Sequence, residues 1–221
     1  MVAAGVAVTH VHRSGRLVTP VVAIVDDDIA VRDGIALLLR TVRVPSRQFS
    51  DAATLFDAIA VCPDIGCVLL DMRMPDMNGL DALERLRNQA DLPVIVLTGH
   101  GSVDMCRQAF KRGAVDFLQK PVDEDKLIAA VQHALRSHVV LRDVEKARQQ
   151  RMEGLASLSG REREVLDWVV RGASSKEIAR VLGISPRTVE THRATLLGKL
   201  DVNSLVALVR DFSPLLGESS P

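Results

Sequence analysis

Cysteine is scarce in this chain: Cys62, Cys67 and Cys106 are the three among 221 residues. No pair has CxxC spacing, and the odd count leaves no disulfide framework. The pattern fits reduced thiols in the cytoplasm and argues against a zinc site built on them. Long apolar runs are missing too. No stretch approaches the roughly 18 uninterrupted apolar residues that a membrane-spanning helix needs. The segment from Met1 to Val11 is apolar, but Arg13 and Arg16 follow it rather than precede it. That order runs against a secretory signal. Residues 1–19 therefore read as a flexible N-terminal extension, or as the product of an upstream start codon. Net charge is also lacking, since 28 basic residues balance 28 acidic ones. Its distribution says more. Residues 21–137 carry about 17 acidic and 13 basic side chains, and residues 155–211 about 7 and 9. An acidic half and a mildly basic half predict two domains with different partners. The basic excess alone is too small to argue for DNA.

What is present is a regular alternation. VVAIV (21–25) and CVLL (67–70) are short apolar runs, each leading into an aspartate. VIVL (94–97) follows Pro93, and AVDFL (114–118) follows Gly113. Such runs are too short for helices and read as buried parallel strands. SRQF (46–49) is the weakest strand signal. Helical patterns fall at 28–40, 51–61, 79–88 and 102–112. Strand and helix in turn predict an α/β fold over residues 20–137: a doubly wound, five-stranded parallel sheet covered on both faces. Residues 123–153 read as one helix that closes this domain and runs on as a linker over 138–154. A small all-α domain follows over 155–212. Ser159 and Glu162 have capping-box spacing. Helix 175–182 stops at Gly183, and Ser185 caps a helix with Pro186 in its first position. Asn203 is the expected cap of a last helix to about residue 212. Residues 213–221 read as a disordered tail.

The working site of an open parallel sheet lies at the carboxyl ends of its strands. Asp26, Asp27 and Asp28 end the first strand here, and Asp71 ends the third. Thr98 and Gly99 end the fourth, and Lys120 and Pro121 follow the fifth. Clustered carboxylates repel one another and call for a hard cation, Mg²⁺ or Mn²⁺ rather than zinc. A lysine and a hydroxyl suit phosphoryl oxygens, and a carboxylate can accept a phosphoryl group. Each residue taken singly also has a plainer reading. Asp28 caps a helix, Phe117 packs in the core, Lys120 is solvated and Asp71 merely ends a strand.

Taken together, VDDD (25–28), LLDMRMPDMNG (69–79), LTGHG (97–101) and GAVDFLQKP (113–121) resemble the receiver domain of response regulators. The resemblance implies a CheY-like fold in which Asp71 is phosphorylated by a histidine kinase. It implies Mg²⁺ held by Asp26, Asp27, Asp71 and the backbone carbonyl of Arg73. It implies that Thr98 and Lys120 contact the phosphoryl group and that Phe117 changes rotamer with Thr98. Residues 102–137 would then form a dimerising surface. A haloacid-dehalogenase-like phosphatase would want a second aspartate where Arg73 stands. His100 lies beside the site and is expected to stay outside it.

The stretch 174–200 reads as helix, glycine turn and capped helix, the helix-turn-helix pattern. Phased at about 100° per residue, Val189, Leu196, Leu197 and Leu200 share one side of the second helix. The other side is polar and free of bulk, as a major-groove helix requires. Arg193 falls towards the apolar side and is expected to bridge to an acidic residue of a neighbouring helix. LSGREREVL (158–166), 174–200 and the last helix resemble the LuxR-type DNA-binding domain. Joined to the receiver, the chain resembles the FixJ/NarL family, and the TGHG and SPRTVE blocks point to its FixJ branch. The resemblance implies DNA contacts from Arg187, Thr188, Glu190, Thr191, Ala194 and Lys199. It implies a non-enzyme, a cytoplasmic transcriptional regulator and partners of three kinds: a sensor kinase, promoter DNA and RNA polymerase. The implied state is a homodimer when phosphorylated, with a lean towards activation. The competing reading is a phosphate sink or adaptor whose C-terminal helices bind no DNA.

Overall fold

The computed structural model describes residues 10–11, 17–99 and 101–217. It divides into two compact units, one up to Asp143 and one from Val144. Among the described residues no helix is long and apolar enough to cross a membrane.

The first unit opens with a two-residue ladder in which β1 (His10–Val11) pairs antiparallel with β2 (Leu17–Val18). The expected flexible extension therefore includes paired backbone, and its other residues up to 16 lie outside the described ones. Five strands follow: β3 (Val21–Val25), β4 (Ser46–Phe49), β5 (Ile65–Asp71), β6 (Val94–Thr98) and β7 (Asp116–Gln119). All pairings are parallel, in the order β4-β3-β5-β6-β7. This is the doubly wound arrangement expected from the sequence. Its topological switch lies between β3 and β5. Four helices intervene: α1 (Ile29–Thr41), α2 (Ala52–Val61), α3 (Gly79–Gln89) and α4 (Val103–Lys111). Asp28, Asp51, Asn78 and Ser102 cap them through side-chain oxygens. The capping expected of Asp28 is thus present.

Alternation along the strands splits the core. Ala23, Val25, Val68, Leu70, Val94 and Val96 pack under α2, α3 and α4. Val22, Ile24, Cys67, Leu69, Ile95 and Leu97 face α1 and Leu127, Val131 and Leu135 of α5. Helix α5 runs from Glu124 to Ala156. Each fully buried aliphatic side chain contributes about 1.5–3 kcal/mol, so both faces anchor the strand ends firmly. Cys67 is fully buried, and burial pushes its thiol up to about 12. It is a packing residue, inert as a nucleophile at neutral pH.

The second unit is all-helical: α6 (Gly160–Val170), α7 (Ser175–Leu182), α8 (Pro186–Lys199) and α9 (Leu205–Gly217). Ser159 and Glu162 form the expected capping box, and Ser174 and Glu177 form another. Gly183 takes φ +66°, a left-handed turn that glycine enters without a Cβ penalty. Two expectations are corrected. Ser204, not Asn203, caps α9, since its hydroxyl oxygen accepts from the Ala207 N–H at 3.1 Å. The helix also runs through Pro214 to Gly217 rather than ending near 212. Leu215 and Leu216 pack on the domain core, which offsets the backbone bond that Pro214 cannot donate. Residues 218–221 lie outside the described ones.

The core of this unit sits on Val165, Leu166, Ile178, Val189, Leu196, Leu208 and Phe212. Glu162 is buried beside it. Its carboxylate accepts from Lys199 Nζ at 2.7 Å and from the Ser159 N–H at 2.8 Å. The Lys199 bond, then the Ser159 backbone bond, hold Glu162 down at about 2, below the ordinary 4.5. A carboxylate depressed in the folded state stabilises fully above its unfolded value. That contribution is lost as pH falls through the folded value. Thermal melts of the protein, followed by the single tryptophan, Trp168 in α6, should show it. Glu162→Gln should lower the melting point at pH 7, and the gap to wild type should close between pH 4.5 and about 2. A gap unchanged across that window would refute the assignment.

Candidate functional site

The switch point brings the strand-end residues together. Asp26 follows β3 directly and Asp71 ends β5, on neighbouring strands. Both are buried, at 0% and 4% exposure, while Asp27 is exposed. Asp26, Asp27 and Asp71 each place a carboxylate oxygen within 4.8 Å of the others. Lys120 follows β7 and precedes a cis bond to Pro121. Its ammonium bridges the two buried acids, 2.5 Å from Asp26 Oδ2 and 2.7 Å from Asp71 Oδ1. The remaining oxygens meet backbone donors. Asp28 N–H donates to Asp26 Oδ1 at 3.0 Å, and Arg73 N–H donates to Asp71 Oδ2 at 2.9 Å.

Burial disfavours the charged form of Asp71, and its carboxyl is raised although Lys120 opposes the shift; the nearby Asp26 charge adds to the rise. Burial alone would lower Lys120, but its bonds to Asp26 and Asp71 outweigh this and raise it. The lysine is therefore a fixed cation beside a buried carboxylate. Three convergent carboxylates, with no histidine or cysteine in the cluster among the described residues, match the preference of a hard divalent cation for oxygen.

Thr98 ends β6 and is buried, with its hydroxyl directed at Met105 Sδ, 3.8 Å away. Phe117, in β7, is half-buried and packs on the α4 side of the core. Its ring occupies the space where a Cβ on Gly101 would sit, at 2.9 Å. Thr98 lies near the same point, its Cγ2 at 3.4 Å. Glycine at 101 is thus what lets the aromatic ring lie across the loop after Thr98. The structure brings together Asp26, Asp27, Asp71, Thr98 and Lys120 as expected, with Phe117 beside Thr98. His100 lies outside the described residues.

Sequence reasoning missed Arg32. Its guanidinium donates through Nη1 to the carbonyls of Asp26, at 2.6 Å, and Asp27, at 3.1 Å. The available signal was a cation in the first turns of a helix, where the helix dipole disfavours it.

In the second unit α8 presents Arg187, Thr188, Glu190, Thr191, Ala194 and Lys199 on its exposed side. Val189, Leu196 and Leu200 are buried, as the phasing predicts. Thr191 and Thr195 turn their hydroxyls to carbonyls four residues back, those of Arg187 and Thr191, which keeps this face smooth. One expectation needs correction. Arg193 donates to the backbone carbonyl of Ala173 at 2.7 Å rather than to an acid on another helix. Its nearest acidic partner is Glu190 of its own helix, at 3.7 Å. Glu190 and Lys199 are exposed but engaged. Glu190 accepts from Ser175 Oγ, and Lys199 is held by Glu162.

Known proteins agree with this geometry. Residues 22–132 match the response regulator receiver domain. Residues 156–212 match the bacterial regulatory proteins of the luxR family. The chain is 40% identical over 188 residues to the transcriptional regulatory protein FixJ of Bradyrhizobium diazoefficiens, covering 85% of this chain and 91% of that one. It is 43% identical over 184 residues to the transcriptional regulatory protein TdiR of Thauera aromatica, covering 83% and 81%. Among solved structures, the response regulator StyR superposes with a TM-score of 0.80 at 37% identity, covering 88% of this chain and 98% of that one. Full-length FixJ from B. japonicum gives a TM-score of 0.55 at 38% identity, with 89% and 97% covered. Strand order, strand-end residues, helical pattern and these likenesses coincide: the chain belongs to the two-component response regulators that join a receiver domain to a luxR-family DNA-binding domain.

Proposed function

We propose that this chain is a cytoplasmic regulator in which Asp71 accepts a phosphoryl group from a sensor histidine kinase, and that its phosphorylation drives promoter binding and activation of transcription. The carrying observation is the buried Asp71 carboxylate, bridged by Lys120 to Asp26 at a strand-end site. An Asp71 oxygen attacks the phosphorus of the kinase phosphohistidine. The P–N bond breaks as the acyl-phosphate P–O bond forms, and the imidazole leaves with the electron pair and takes up a proton. Asp26, Asp27, Asp71 and the Arg73 carbonyl would hold Mg²⁺ or Mn²⁺, which supplies neutralising charge at the phosphoryl oxygens. Lys120 exchanges a carboxylate contact for a phosphoryl oxygen and stays within reach of Asp26. Thr98 donates its hydroxyl to the phosphoryl group and leaves Met105. Phe117, packed against the same loop, follows into the vacated space.

The rearranged surface of residues 102–137 then favours a homodimer. Residues 20–137 act as the receiver, 138–154 as the linker and 155–212 as the DNA-binding domain. Two copies of α8 engage two half-sites in successive major grooves, and linkage of the two binding events raises affinity. Arg187, Thr188, Thr191 and Ala194 make the contacts, with Glu190 beside them, and the bound dimer recruits RNA polymerase.

Selection of genomic fragments with and without acetyl phosphate tests this reading. Specific fragments should be retained, and more of them with the phosphoryl donor. No retention at low salt would favour an adaptor or phosphate sink instead.

A further inference from the structure

We infer that Arg32 is a positioning residue for the cation site, holding the acidic loop in its binding shape without occupying a carboxylate. The inference rests on the reading of Asp26, Asp27 and Asp71 as that site. Arg32 lies in α1, four residues after the last of three consecutive aspartates. An arginine so placed would ordinarily pair with a carboxylate. Among the described residues it forms no ion pair. Its Nη1 instead donates to two successive backbone carbonyls, at 2.6 Å on Asp26 and 3.1 Å on Asp27.

Two consequences follow from that choice of acceptors. The peptide planes after Asp26 and Asp27 are pinned, and these planes set where both carboxylates point. The positive charge also lies behind the loop, where it offsets repulsion among the acids while leaving their oxygens open. Lys120 acts in the opposite manner, since it takes up carboxylate oxygens directly. The rest of the loop is tied down by the Asp28 N–H on Asp26 Oδ1 and by the Asp28 cap on Ala30. Those bonds act within residues 26–30. Arg32 adds the tie between the loop and the body of α1. Without it, part of the binding free energy of a cation would be spent on gathering the loop.

The test is calorimetric titration of MgCl₂ into the full chain, with Arg32→Ala, Arg32→Lys and Asp27→Asn beside wild type. Groups that orient metal ligands typically contribute about 10–100-fold in affinity. Arg32→Ala should weaken Mg²⁺ by that range. Phosphorylation by acetyl phosphate should then need more Mg²⁺ yet recover its rate at saturation. Arg32→Lys keeps the charge but loses the length and the fixed N–H directions of the planar guanidinium, and should fall between wild type and Arg32→Ala. Wild-type Mg²⁺ affinity in both arginine variants would overturn the inference. So would a lost saturating rate with unchanged Mg²⁺ affinity. Should Arg32→Ala fail to fold, wild-type affinity in Arg32→Lys overturns it alone. Asp27→Asn separates the two levels: if it binds Mg²⁺ as wild type does, the cation site itself is wrong.

Discussion

Asp71→Asn should take up no phosphoryl group from acetyl phosphate and should lose the phosphorylation-dependent part of its DNA affinity. The amide is close in shape to the carboxylate but is no nucleophile for phosphorus at neutral pH. The nearest other acids do not replace it. Asp26 is fully buried, with Lys120 and the Asp28 N–H on its two oxygens. Asp27 is exposed, and Lys120 bonds Asp26 and Asp71 rather than it. Coupling between two sites of one protein is typically worth about 5–150-fold in affinity. Acetyl phosphate should therefore tighten wild-type operator binding within that range and leave Asp71→Asn unchanged. Fold loss is a poor alternative explanation. Burial and Asp26 already raise the Asp71 carboxyl, so a neutral amide relieves a penalty. The variant should melt no lower than wild type. Intact-mass measurement and gel shifts on one selected fragment check both halves. Phosphorylation of Asp71→Asn to the wild-type level would sink the assignment.

The receiver half was readable because its signals are strand-end signals. Buried parallel strands require apolar runs on both faces, and the residue that ends each run is exposed to chemistry by topology. Asp71 and Lys120 could thus be placed on one edge although 49 residues separate them in the chain. SRQF was the weakest strand for the complementary reason. β4 is an edge strand, paired only with β3, and none of its four residues is fully buried. Helix termini were readable where a cap and a breaker coincide, as at Ser185-Pro186 and Gly183. At α9 they were not. The sequence pattern ends the helix near 212, but burial of Leu215 and Leu216 carries it past Pro214, an outcome that only the packed domain decides. Arg32, Arg193 and Lys199 show a further limit. Spacing placed each on its helix, but which carbonyl or carboxylate a long cationic side chain reaches depends on tertiary neighbours up to 37 residues away.

That limit separates two cations on α8 which sequence treats alike. Arg187 lies in the first turn, exposed, and among the described residues it forms no ion pair. Lys199 lies in the last turn with its ammonium 2.7 Å from Glu162. Recognition helices read bases through their N-terminal residues, and an arginine there can bind guanine bidentately. Arg187→Ala should therefore weaken binding to the selected fragment by about 1–3 kcal/mol and relax its sequence preference. Lys199 is already neutralised by Glu162 and releases no counterion on meeting a phosphate. Lys199→Ala should leave the salt dependence of binding unchanged while lowering the melting point of its domain, because Glu162 is left buried without its cation. Binding measured against salt concentration for both variants, with melts read from Trp168, separates the two roles. A Lys199→Ala protein of wild-type stability whose salt slope fell by about one would return that lysine to the DNA interface. It would also mean that the Glu162 contact is exchanged for phosphate on binding, so that operator engagement loosens the junction between α6 and α8.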